Sequence, residues 1–91
     1  MITRNKTVEL DYLKNNEQFS TFDIGLASAL ATLNYELWGL DKSNPKKVQF
    51  SFRRKPGIDT AINNFWDAKL KLDARTLLDS LKMLKNRIYS I

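Results

Sequence analysis

Neither cysteine nor histidine occurs among the 91 residues. Without them the chain has no disulfide, no thiolate nucleophile, no imidazole general base and none of the usual zinc ligands. The missing cysteine says nothing of compartment, since it is compatible with any. Catalysis would then fall to carboxylates, yet Asp23, Glu36, Asp59 and Asp67 are scattered singly, with no D-x-D or E-x-x-E spacing to converge on a metal. They read as helix caps and solvated surface. Glycine is scarce, and Gly25, Gly39 and Gly57 stand too far apart to cradle a phosphate. No apolar run approaches the roughly 20 residues that span a bilayer, and the opening MITRNKTVEL has no apolar signal-peptide core. These absences predict a cytoplasmic protein without enzymatic activity, cofactor, metal or membrane partner.

What is present is enough for one small core. Hydrophobic residues make up 43% and charged residues 27%, close to ordinary globular proteins, so a folded chain is expected. The length allows a single domain, read as residues 19–91 after an N-terminal extension of residues 1–18. Charge is uneven. Residues 1–45 hold four basic and six acidic side chains, a balance of −2, whereas residues 46–91 hold eleven basic and four acidic, a balance of +7.

Five elements follow the extension. Ser20 is placed to cap a helix with Asp23 answering three residues on and Phe19 stapled onto Ile24. Ile24, Ala27, Leu30 and Ala31 make its apolar stripe, and the small residues Gly25, Ala27, Ser28, Ala29 and Ala31 let another element approach closely. Asn34 suits a left-handed stop. Tyr35 to Leu40 and Val48 to Arg54 have strand composition, joined by the turn-rich DKSNPKK as an antiparallel hairpin with a long, mobile loop. Beyond Pro56-Gly57, a helix capped by Asp59 or a neighbour carries Ile58, Ala61, Ile62, Phe65 and Trp66 at helical spacing, with both aromatic rings assigned to the core. After the basic link AKLKL, Asp73 caps a last helix whose apolar face is Ala74, Leu77, Leu78, Leu81, Leu84 and Ile88. The order is α-β-β-α-α, an α+β domain with helices over one face of a hairpin. A bare hairpin is marginal, so a third strand is sought at Thr7 to Leu13, which reads equally as a short helix.

Several of these pieces carry a resemblance. Thr21 and Asp23 before a small-residue helix, the aromatic-x-aromatic strand of Phe50 and Phe52, the pair Phe65-Trp66, and the closing Leu81, Leu84, Lys85, Arg87, Ile88 and Tyr89 form one pattern. Over residues 20–90 the chain resembles a small bacterial, archaeal and phage family, the domain of unknown function 5659. It departs where a glycine often precedes the first strand and this chain has Asn34, which tolerates the same left-handed backbone. The resemblance implies a domain; the family carries no established activity.

The candidate site lies in the basic second half. Alternation turns Val48, Phe50 and Phe52 toward the helices and Gln49, Ser51 and Arg53 to the other face. With Tyr35 and Leu37 taken as core, Trp38 joins Arg53 on the outer face, either as a base-stacking platform or beneath the N-terminal segment. Lys46 and Lys47 at one end of the hairpin and Arg53, Arg54 and Lys55 at the other could track phosphates, with Lys85 and Arg87 widening the surface unless they only complement a helix dipole. The leading expectation is a small basic accessory protein that binds single-stranded DNA or RNA, or a duplex backbone. The alternative is an interaction module of phage or mobile-element origin, docking on a protein through Trp38, Leu40 and the loop 41–47 or by sheet-edge pairing. Oligomeric state is not legible.

Overall fold

The computed structural model describes residues 17–90. The sought strand at Thr7 to Leu13 lies outside the described residues. The elements are β1 (Gln18–Thr21), α1 (Ile24–Thr32), β2 (Leu37–Asp41), β3 (Gln49–Arg53), α2 (Ile58–Trp66) and α3 (Ala74–Tyr89). The α+β class, the hairpin and the three helices follow the expectation, but the order is β-α-β-β-α-α. The third strand is β1, at a place where the sequence reading began a helix.

Ser20 is therefore no helix cap. It sits in β1 opposite Ser51 of β3, and the two hydroxyls lie 3.0 Å apart. The cap of α1 is Asp23, whose carboxylate accepts the Leu26 N–H at 2.8 Å. The sheet order is β1-β3-β2, all antiparallel, with β3 in the centre. Phe50 and Phe52 of this central strand are fully buried. Phe19 and Thr21 flank them from β1, and Leu37 and Leu40 from β2. Removing either ring would cost about 3–5 kcal/mol as a cavity in the centre of the core.

Leu37 and Leu40 both reach that core because the ladder slips between Leu37 and Gly39, leaving Trp38 as an extra, unpaired residue. Strict alternation would have sent Leu40 outward with Trp38. The bulge corrects that assignment and leaves Trp38 45% exposed.

Helix α1 packs against β1, α2 and α3, and Leu26 to Leu30 are five consecutive buried residues. Small side chains make this enclosure workable. A methyl group at Gly25 would stand 3.1 Å from Asp23 Oδ1 and 3.5 Å from the Phe65 ring. Thr32 donates to the Ser28 carbonyl at 2.8 Å and meets the Ser80 hydroxyl of α3 at 2.9 Å. Asn34, at φ 70°, ends α1 as expected, with Asn34 N–H donating to Ala31 O and Tyr35 N–H to Leu30 O.

Two further assignments change. Trp66 is 59% exposed, set edge-on to the half-buried Phe65 with ring centres 4.9 Å apart, so only one ring of that pair serves the core. Leu78 and Ala74 face outward on α3, where Leu84 alone is fully buried and Leu77, Leu81 and Ile88 are partly covered. Asp59 does not cap α2; the residue there is Gly57 at φ 92°, and Asp59 pairs with Arg54 instead. Asp73 caps α3 as expected, accepting from the Thr76 N–H and hydroxyl. No helix among the described residues is long and apolar enough to cross a membrane.

Candidate nucleic-acid interface

The hairpin cations do not form one surface. Arg53 lies on the outer sheet face beside Trp38 and meets Glu36 at 3.8 Å. Arg54 turns the other way. It is half-buried, donates to Asp59 at 2.7 Å, and holds its guanidinium 5.8 Å from the Phe19 ring. Its backbone N–H also donates to Glu17 O at 2.7 Å. It closes the end of the sheet, with its guanidinium already paired to a carboxylate. Lys55 is exposed at the start of the turn into α2. At this end of β3 two of three cations already have acidic partners.

The opposite end differs. Lys46 and Lys47, in the β2–β3 connection, form no ion pair among the described residues. The Lys47 ammonium lies 4.8 Å from the centre of the Phe22 ring, the geometry of a cation–π contact. Phe22 follows β1 and is 51% exposed; Tyr89, the last residue of α3, is 79% exposed. Both line a groove of about 430 Å³ together with Lys46, Lys47, Val48 and Ile88. An adjoining groove of about 330 Å³ shares Val48, Ile88 and Tyr89 and adds Lys42. None of the lining residues of either is acidic.

Hydrogen bonds close turns within the loop that carries the lysines. Asp41 accepts the Ser43 N–H at 2.9 Å, and the Asn44 side chain and carbonyl accept the N–H groups of Lys46 and Lys47 at 3.0 Å. The backbone bond from Ser43 holds the Asp41 carboxyl below its ordinary value, with a smaller side-chain bond adding to it. Lys42 fastens this loop to the helix. Its ammonium donates to the carbonyls of Arg87 at 3.1 Å, Ile88 at 3.3 Å and Ser90 at 2.9 Å. Arg87 and Ile88 lie in the last turn of α3, whose carbonyls lack partners within the helix, and a cation there also complements the negative end of its dipole.

The fold thus joins the two candidate regions that the sequence keeps forty residues apart. Lys46 and Lys47 come to the end of α3 that bears Arg87 and Tyr89, while Lys85 lies exposed one turn earlier. Trp38 and Arg53 belong to another face, and Arg54 packs against Phe19 and Asp59. Phe22 was not legible as a site residue, and Lys42 entered only within the loop 41–47 of the docking alternative. Phe22 resembled part of a helix entry, and Lys42 was one charge among fifteen basic residues.

The family model described as Domain of unknown function (DUF5659) matches residues 16–90. Comparison with curated proteins and with solved structures yields no match.

Proposed function

The chain belongs to the DUF5659 family, and we propose that it is a small cytoplasmic accessory protein that binds nucleic acid without catalysing a reaction. The observation that carries this reading is the groove at the loop end of the hairpin, where Lys46 and Lys47 stand beside exposed aromatic rings with no acidic residue in the lining. Phosphates would meet the ammonium groups of Lys46 and Lys47 and the cations of Lys85 and Arg87, and such contacts supply most of the affinity in binding of this kind. The net charge of +5 favours approach to a polyanion.

Fluorescence anisotropy with labelled single-stranded DNA, single-stranded RNA and duplex DNA at two salt concentrations tests it. Affinity is expected to fall steeply with salt, and Lys46→Glu with Lys47→Glu to weaken binding to all three and to reduce the salt slope by about 2. Absence of binding at low salt would overturn the reading, as would affinity indifferent to salt.

A second reading, docking on a protein partner, is favoured by Trp38, exposed on a sheet face that also carries the small residues Ser20, Ser51 and Gly39. On that reading Trp38→Ala weakens capture of the partner and salt does not.

A further inference from the structure

We propose that the groove between the β2–β3 loop and the end of α3 takes unpaired bases, so that the ligand is single-stranded nucleic acid, with Tyr89 and Phe22 as its stacking platforms. The inference rests on the nucleic-acid reading and narrows it. A site for duplex backbone needs cations and hydrogen-bond donors only. This groove has more. Its floor is Ile24, Val48, Phe50 and Ile88, all part of or packed against the hydrophobic core. Apolar floor beneath exposed rings suits the flat face of a base, which a duplex keeps inside its own stack.

The two rings occupy different settings on one groove. Tyr89 is among the most exposed large side chains of the described residues, yet the backbone beneath it is fixed by the three carbonyls that Lys42 holds, at Arg87, Ile88 and Ser90. A ring so exposed on an anchored helix end leaves its π-face open to a base, with the backbone already held. Phe22 has Lys47 above it, which places a phosphate-binding cation and a stacking ring within 4.8 Å of each other. A strand laid along the groove finds two rings for its bases and, at Phe22, a cation for its phosphate, the combination by which single strands are held without sequence preference. The two adjoining grooves share Pro45, Val48, Ile88 and Tyr89, so Tyr89 borders both.

The test compares labelled homopolymer DNA, homopolymer RNA and duplex DNA on the full chain and on Phe22→Ala, Tyr89→Ala, Tyr89→Phe and Lys46→Glu/Lys47→Glu. Both aromatic positions are exposed, and an unchanged thermal midpoint establishes that each variant is folded. Single strands are expected to bind at least ~10-fold tighter than duplex. Each alanine is expected to weaken single-strand binding by roughly 5- to 150-fold while duplex affinity stays within about twofold, and Tyr89→Phe to bind as the parent does. Equal or tighter duplex binding, or alanine variants that bind single strands as the parent does, would overturn the inference. If the lysine pair still abolishes salt-dependent binding in those cases, the nucleic-acid reading stands without it. A parent chain that binds none of the probes at low salt removes both.

Discussion

Ala68 adopts φ 59°, the left-handed conformation that glycine or asparagine normally supplies. It does so because it stands just past α2, where its N–H donates to Phe65 O at 3.1 Å and the next N–H, that of Lys69, to Asn64 O at 2.8 Å. Asn34 performs the same task after α1 and was legible, since asparagine tolerates that backbone; Ala68 was not, since nothing in alanine announces it. The strain gives a prediction. Ala68→Gly is expected to stabilise the domain by about 1 kcal/mol, read as a higher urea midpoint at unchanged m value. Gly57 is the converse case, with φ 92° and the Tyr35 hydroxyl 3.1 Å from where a methyl group would sit. Gly57→Ala is expected to cost about 1–2 kcal/mol. A destabilised Ala68→Gly variant would mean that the turn after α2 gains more from restricting the unfolded chain than it loses in strain. Arg54 teaches the same lesson about side chains: its charge was visible, but its half-buried place against Phe19 and Asp59 was not.

Elements were legible in proportion to their length and periodicity. The last helix, α3, runs for sixteen residues and its Asp73 start was plain from the sequence. β1 has four residues, too few for alternation to show, and the local Ser-x-x-Asp pattern resembles a helix entry. Pairing with Phe50 and Phe52 decides otherwise, because burying Phe19 beside them outweighs a local cap. The bulge at Trp38 was hidden for a related reason, since it exists to bring Leu40 back to the core and depends on the partner strand's register. The cap of α3 offers a pH test. The Thr76 hydroxyl bonded to Asp73, and secondly the Thr76 N–H, hold that carboxyl below its ordinary value of 3.8. A lowered folded-state value means that the ionised cap's contribution is present above 3.8 and is lost as pH falls through the folded-state value. The parent is expected to melt above Asp73→Ala at neutral pH, with the gap narrowing in acid below that value. A gap of constant size down to pH ~2 would show that charge plays no part in the cap.

Over the whole molecule, the uneven charge was plain in the sequence and its division among faces was not. The +7 of residues 46–91 suggested one basic hairpin surface. In the fold, β3 carries its cations to opposite ends: Arg53 meets Glu36 and Arg54 meets Asp59 at one, while Lys46 and Lys47 remain without acidic partners among the described residues at the other. The antiparallel hairpin makes this separation, and packing α3 on α1 then delivers Tyr89 and Ile88 to the lysine end. Comparing the two ends tests which of them faces the ligand. Trp38→Ala combined with Arg53→Ala, on the outer sheet face, is expected to leave nucleic-acid affinity within about twofold and the salt slope within about 1 of the parent. Arg53 gives little there because Glu36, 3.8 Å away, puts a negative charge on the same face and repels a phosphate. Isothermal titration or anisotropy on this double variant, with folding checked by circular dichroism, reads the result. A loss of ~10-fold or more would place the ligand on the open sheet with Trp38 as its platform, and the lysine groove would then be a bystander.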